Sequence, residues 1–241
     1  MLEVSDCHFN NNLGYFHGGA ISAYSRSKLT VAQSIFNTNV GDDGGAIHCN
    51  LESICSVYNS SFWKNRAIFN GGAININGNS TFRIEKGYFD ENRAIKGGSI
   101  YADANIRLDI STSYFYNTYV DYFGGVLYLT ARSVAKIDKI FVSNVTAEDG
   151  AIFYIQISSV LVVNNSVLTN TIAYKYGGLA YLDSGSSLSI IKSNISNMKS
   201  VIEAGSVAAI DGFFTLDSCV VKSSSSRKYY DRMDFFFYYS I

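Results

Sequence analysis

Two small groups of charged side chains in this 241-residue chain have the residue types that polysaccharide chemistry requires. Asp42 and Asp43 form a carboxylate pair, which could supply an acid and a base for glycoside hydrolysis. Arg83, Glu85 and Asp109 combine carboxylate oxygens with a basic group, as cleavage by a Ca²⁺-dependent lyase would require. Each group also has a simpler explanation, a polar turn for the first and a solvated cross-strand ion pair for the second. We therefore predict no catalytic residue, no metal ligand and no cofactor.

These residues are positioned by an internal repeat of about 26 or 27 residues, which runs through the whole chain. Each repeat carries a pair of small residues followed by an apolar segment. We align the first position of the pair at Gly18, Gly44, Gly71, Gly97, Gly124, Asp149, Gly177 and Ala204, with steps of 25 to 28 residues. The position after it is glycine in every repeat. This regularity predicts one array of coils rather than two ordinary domains.

A second set of positions repeats around an aromatic or apolar anchor. The anchors are Phe9, Phe36, Phe62, Phe89, Phe115, Phe141, Leu168, Ile195 and Val221. Five and seven residues before the anchor lie two apolar positions, whose spacing of two is that of a strand. The stretch from Val134 to Phe141 breaks this pattern, because Ala135 and Ile137 are out of phase. Three residues after the anchor comes Asn12, Asn39, Asn65, Asn92 or Asn144, and we expect these amides to form a ladder at a corner.

The repeat predicts an all-β fold, a parallel β-helix of about eight coils with three short strands per coil. One coil cannot bury its apolar positions alone, but stacked coils turn those positions into continuous interior ladders. We assign residues 1–226 to the array, which we expect to be a fragment of a longer one. Residues 227–241 form an aromatic-rich tail, for which we favour a cap on the last coil over a truncated membrane segment or a misread gene end.

The repeats resemble those of a known family. The motif Gly-Gly-Ala-Ile occurs at residues 18–21, 44–47 and 71–74, and Phe-x-x-Asn occurs at residues 9–12, 36–39, 62–65, 89–92 and 141–144. Both motifs are similar to those of the chlamydial polymorphic outer membrane protein repeats, within the pectate-lyase-like group of right-handed β-helices. The resemblance covers about residues 2–226. It implies a right-handed β-helix, and it implies a location in the extracellular space or at the cell surface.

The cysteines predict no metal site. Cys49 and Cys55 both fall on apolar positions, and we predict two buried thiols, with a disulfide or a metal pair as the alternatives. Cys7 and Cys219 share one repeat position at opposite ends of the array. With coils stacked at about 4.8 Å, they lie about 40 Å apart and cannot bridge. The three histidines occupy different repeat positions and also predict no metal site.

One outward position of the strand after the glycine pair carries an aromatic residue in four consecutive coils. We assign it to Tyr101, Tyr128, Phe153 and Tyr181. These rings could form a stacking platform for sugar rings or for a partner protein. The alternatives are packing against a loop or the tail, and the ordinary β propensity of aromatic residues. Packing is the more common reason for such a column.

These patterns favour a non-enzymatic structural or adhesion module that binds through a flat outer face. A carbohydrate-active enzyme, a polysaccharide lyase or a glycoside hydrolase, is the alternative. The expected partners are glycans or surface proteins. The net charge is −1 and no basic cluster is present, so nucleic acid is not an expected partner. Membrane attachment is expected only through regions outside this chain or through the C-terminal tail.

Overall fold

The computed structural model describes residues 1–226 and the backbone of residues 236–238. They form an all-β parallel solenoid of about eight turns with three strands per coil. In the first five coils the second strand is divided into two halves near a residue with left-handed backbone, such as Lys64 or Glu91. Residues 1–226 and 236–238 contain no helix that could cross a membrane.

The strands follow one another around each coil, and most are short, although four strands in the later coils are 9–12 residues long. The first four coils contain β1 Leu2–Ser5, β2 His8–Asn10, β3 Leu13–Gly14, β4 Ile21–Ala23, β5 Lys28–Ala32, β6 Ile35–Asn37, β7 Val40–Asp43, β8 Ile47–Cys49, β9 Ile54–Tyr58, β10 Ser61–Trp63, β11 Arg66–Asn70, β12 Ile74–Ile76, β13 Thr81–Glu85, β14 Tyr88–Asp90, β15 Arg93–Lys96 and β16 Ile100–Ala102. The remaining coils contain β17 Arg107–Ser111, β18 Tyr114–Tyr116, β19 Tyr119–Phe123, β20 Leu127–Leu129, β21 Val134–Asp138, β22 Phe141–Asp149, β23 Phe153–Ile155, β24 Val160–Asn164, β25 Val167–Tyr176, β26 Ala180–Ile191, β27 Asn194–Ser200, β28 Val207–Asp217, β29 Val220–Lys222, β30 Ser225–Ser226 and β31 Phe236–Tyr238.

Equivalent residues of successive coils lie directly above one another. Ile74 is paired in parallel register with Ile47 on one side and with Ile100 on the other, and all three side chains are fully buried. The anchor phenylalanines stack face to face from Phe9 to Phe115, with ring centroids 4.7–4.9 Å apart. The predicted interior ladders are therefore confirmed, and they form one core that follows the solenoid axis.

Asparagine side chains bond from coil to coil inside the first four coils. This inner asparagine ladder consists of Asn12, Asn39, Asn65 and Asn92. Nδ2 of Asn39 donates to Oδ1 of Asn65 at 2.9 Å, and the same oxygen accepts the backbone N–H of Asn39 at 3.0 Å. Nδ2 of Asn65 also donates to the backbone oxygen of Phe36. Each amide thus satisfies corner backbone groups that would otherwise be buried without a partner.

The two glycines of each pair serve different purposes. Gly71 has a φ of 65°, a left-handed backbone that glycine adopts without steric cost. At Gly72 the reason is close packing, because a Cβ atom there would lie 2.1 Å from the backbone oxygen of Gly98. The second glycine therefore lets neighbouring coils approach closely at this corner.

The predicted register of the sixth coil is wrong by one residue. Val142, and not Phe141, is the buried anchor above Phe115, and Val145 takes the inward position assigned to Asn144. Ala135 and Ile137 are consequently in phase with Leu108 and Ile110. The glycine pair of this coil moves in the same way, to Gly150 and Ala151. The misalignment arose because a bulky outward phenylalanine lies next to the true anchor. A register shift of one residue moves every side chain of a strand to the opposite face.

The predicted buried thiols are also corrected, since Cys49 and Cys55 form a disulfide. The bridge joins β8 to β9 across the turn between them. Both residues lie on inward positions, as expected, and the turn brings the two positions together. Cys7 and Cys219 are free.

The tail remains largely untested. Residues 227–235 and 239–241 lie outside the described part of the chain. The backbone of β31 pairs in parallel with β28 at the end of the array. The cap assigned to residues 227–241 therefore stays a prediction.

Replacing Asn65 with alanine should test the inner asparagine ladder. The variant leaves the backbone N–H and the amide of Asn39 buried without their acceptor, so the free energy of unfolding should fall by about 3 kcal/mol or more. Urea unfolding followed by circular dichroism measures the change. The control is Asn194→Ala on an exposed position of β27, which should cost less than about 1 kcal/mol. Equal losses in both variants would contradict the stabilising role of the ladder.

Candidate functional site

The predicted aromatic column lies on the outward side of the third strand, with one residue exchanged. It consists of Tyr101, Tyr128, Tyr154 and Tyr181, which we call the tyrosine column. Phe153 is a correction: it is paired with Leu127 and points into the core, where it is fully buried. The error follows directly from the misplaced register of the sixth coil.

The tyrosine column is packed rather than open. Its rings stack on one another with centroids 4.9–5.1 Å apart and interplanar angles of 4–18°, so both faces of the two middle rings, Tyr128 and Tyr154, are covered by neighbouring rings. Phe123, the residue before a glycine pair, covers the column and lies 4.6 Å from the ring of Tyr154. Burial raises the pKa of Tyr181 to about 12, and it raises the pKa values of Tyr101, Tyr128 and Tyr154. These phenols stay neutral, and the column supports the wall of the solenoid.

The same outward position is polar in the coils that precede the tyrosines. It holds His48, 1% exposed, and Asn75, 0% exposed. The rings of His17 and Tyr24 lie 4.7 and 5.3 Å from the ring of His48. Among the described residues, neither ring nitrogen of His48 and neither amide atom of Asn75 has a hydrogen-bond partner. A buried polar group without a partner is costly, so this is the least satisfied part of the solenoid wall.

Burial shifts the pKa values of two titratable groups in the solenoid wall in opposite directions. Burial, aided by the nearby His17, lowers the pKa of His48 to about 4, so its imidazole is neutral at pH 7. Burial raises the pKa of Asp149 to about 6, although the backbone N–H of Tyr176 donates to its carboxylate at 3.1 Å. The wall therefore contains a base that resists protonation and an acid that resists ionisation.

The charged groups singled out in the sequence do not converge on one another. Asp43 accepts a hydrogen bond from Nδ2 of Asn70 at 2.8 Å, and burial raises its pKa. Arg83 and Asp109 share a register position, as predicted, but the guanidinium contacts Glu85 at 3.2 Å on the exposed surface. Within the described residues, no group of three or more His, Cys, Asp or Glu side chains could hold a metal ion.

A second aromatic surface, on the outer side of the second strand, was missed in the sequence. It comprises Trp63, Tyr88, Tyr114, Tyr116 and Phe141, which we call the aromatic face. These residues flank the buried anchors by one position on four consecutive coils, β10, β14, β18 and β22. The signal was present at the positions directly before and after each anchor, and the misplaced Phe141 concealed it.

The rings of the aromatic face are accessible, in contrast to those of the tyrosine column. Trp63 is 46% exposed and Tyr114 is 45% exposed, and the other three are partly exposed. Most neighbouring rings here are tilted by 36–44° rather than stacked flat, as between Trp63 and Tyr88 at 5.8 Å. Tilted rings leave part of each ring face open to a ligand. Such an exposed apolar surface is typical of a binding site.

No protein-family model, no curated protein and no solved structure matches this chain. The class that the fold defines is a parallel β-solenoid repeat protein. Because one fold serves many functions, the role must be argued from the surfaces described above.

The His48→Gln variant should isolate the pH response of the polar wall. Since the folded pKa is about 4 and the unfolded value is 6.5, the unfolded state binds a proton between these values and the folded state does not. The stability due to neutral His48 is thus complete above pH 6.5 and is lost as pH falls toward 4. The unfolding free energy of wild type relative to His48→Gln should fall by about 3 kcal/mol between about pH 7 and pH 4.

Urea titrations at several pH values measure this difference, and Asp149→Asn supplies the control of opposite sign. The pKa of Asp149 is about 6 in the folded state and 3.8 in the unfolded state, so the folded state binds a proton more tightly. The free energy of unfolding of wild type, relative to this variant, should therefore rise as the pH is lowered through 6. A pH-independent difference between wild type and His48→Gln would show that the histidine is not held neutral.

Proposed function

We propose that the chain is a non-enzymatic structural and adhesion module, secreted or at a cell surface, that binds glycans through the aromatic face. The observation that carries the proposal is a set of five accessible aromatic rings on four consecutive coils of a rigid array. Sugar rings present apolar C–H groups that pack on aromatic faces, and a repeat scaffold offers them an extended surface.

The disulfide and the repeat motifs support the proposed location outside the cell or at its surface. A bridge between Cys49 and Cys55 is stable in oxidising environments, such as the outside of a cell. The motifs that resemble polymorphic outer membrane protein repeats and right-handed pectate-lyase-like helices fit the same location. We infer kinship with those repeats from the motifs, since the fold itself is shared by proteins of many functions.

A carbohydrate-active enzyme is the alternative, and it rests on Asp43. Its carboxyl is half-buried, and burial raises its pKa, which would suit an acid. The nearest side-chain partner is the amide of Asn70 rather than a second carboxylate. Hydrolysis needs two carboxyl groups that flank one glycosidic bond. This arrangement favours the binding module over the enzyme.

A glycan array probed with wild type, Trp63→Ala and Tyr114→Ala tests the proposal. Each truncation removes one accessible ring, so binding to the recognised glycans should fall about tenfold. The matched control is Tyr174→Ala, an exposed tyrosine on β25 that lies outside the aromatic face. All variants should keep the wild-type circular dichroism spectrum, because the truncated side chains point away from the core.

Three results would refute the proposal. One is an array without any glycan signal, and another is a signal that Trp63→Ala and Tyr114→Ala leave unchanged. The third is turnover of acidic or neutral polysaccharides, with or without Ca²⁺, that is lost in Asp43→Asn. This last result would establish the enzyme instead.

A further inference from the structure

Four rings of the aromatic face contact one another in series and alternate between two columns, and the fifth, Tyr114, lies in the column of Tyr88 and Phe141 on the same coil as Tyr116. Trp63 and Tyr116 lie directly after the anchor position of their coils, and Tyr88 and Phe141 lie directly before it. Along four consecutive coils the series Trp63, Tyr88, Tyr116, Phe141 therefore steps from one side to the other. The successive centroids are 5.8, 5.5 and 5.5 Å apart. This zigzag repeats every two coils and runs parallel to the solenoid axis.

A flat polysaccharide ribbon has the same symmetry. In the cellulose, mannan and chitin types, a β linkage turns each pyranose by half a turn relative to the one before. The bulky apolar edge of each unit, including its exocyclic carbon, is thus displaced alternately to the left and to the right. The advance per sugar is close to the spacing of parallel strands, which sets the rise of the coils. One sugar per coil would place successive apolar patches over successive rings.

The polar groups within the aromatic face suit a neutral polymer. Asp90 lies in the same column as Trp63 and Tyr116, where its Oδ1 accepts a hydrogen bond from Nδ2 of Asn117 at 2.8 Å. A carboxylate that is hydrogen-bonded to a neutral amide keeps its negative charge. It accepts hydrogen bonds from sugar hydroxyl groups but repels acidic sugars. Lys64, the cation next to Trp63, is paired with Glu91 at 3.7 Å. The aromatic face therefore offers hydrogen bonds without a net positive field.

We infer that the aromatic face binds a neutral, β-linked polysaccharide of the flat-ribbon type, laid along the solenoid axis with one sugar on each of four coils. This inference rests on the proposed function and specifies its ligand. Four rings set the length of the site at four sugars. The alternation of the rings sets the linkage, because an α-linked glucan of the amylose type coils and cannot keep successive sugars on a straight zigzag.

Calorimetric titration with oligosaccharides of two to six sugars tests both features. The probes are β-linked glucose, mannose and N-acetylglucosamine oligomers, and the control ligands are α-linked glucose oligomers of equal length. For at least one β-linked series, affinity should rise about two- to tenfold per added sugar and level off at four, since each sugar gains one ring contact. The α-linked series should bind at least tenfold more weakly than the best β-linked series.

Variants locate the ligand on the zigzag. Phe141→Ala removes a terminal ring, so affinity should level off at three sugars. Tyr116→Ala removes a central ring, so it should weaken the binding of every oligosaccharide that spans the centre of the site. Tyr119→Ala, on the next half-strand of the same coil, is the matched control and should bind as wild type does. Thermal unfolding checks that each variant is folded.

The outcomes separate this inference from the proposed function. Glycan binding without preference for β linkage, or without a plateau at four sugars, would refute the flat-ribbon ligand. The proposed function of glycan binding would still stand. The absence of any glycan binding, here and on the array, overturns both. A protein ligand captured by the aromatic face in place of glycans has the same consequence.

Discussion

The whole molecule depends on the backbone hydrogen bonds that join equivalent strands of successive coils. Each strand pairs in parallel with its equivalents above and below, so residues one repeat apart must occupy the same place in successive coils. Like side chains then meet like side chains, and the phenylalanine stack, the inner asparagine ladder and the tyrosine column are three results of this one constraint. The constraint also explains why a surface built on one coil is repeated on the next.

The fold could be predicted because the repeat is visible in the residues that the constraint holds in place. Buried positions such as Phe62 and Gly72 tolerate few alternatives, so their periodicity survives from coil to coil. The sixth coil was misread because Phe141 and Val142 are both apolar neighbours, and periodicity alone could not say which faces inward. The disulfide depends on a turn between Cys49 and Cys55 whose path the sequence does not specify.

The exposure of the outer faces was harder to predict than the interior. Alternation shows that a side chain points away from the core, but it does not show what lies over it. The tyrosine column is covered by residues from the end of the preceding strand, such as Phe123, whereas no comparable cover shields Trp63 or Tyr114 among the described residues. Which of two aromatic surfaces is open thus depends on the path of the chain between strands. That path is a property of the folded coil rather than of any pattern along it.

The inner asparagine ladder does not extend through the whole array. Beyond Asn92 its position is taken by Thr118, Val145, Thr171 and Met198, which cannot reproduce the amide-to-amide bonds. In a solenoid each coil is held only by its neighbours, so cooperativity between coils is local. The later coils keep their amide bonds on the exposed surface instead, where Nδ2 of Asn144 donates to Asn117 and Nδ2 of Asn197 donates to Asn170. Water competes for these outer bonds but not for the buried ones, so the two ends of the array should differ in how firmly this corner is held.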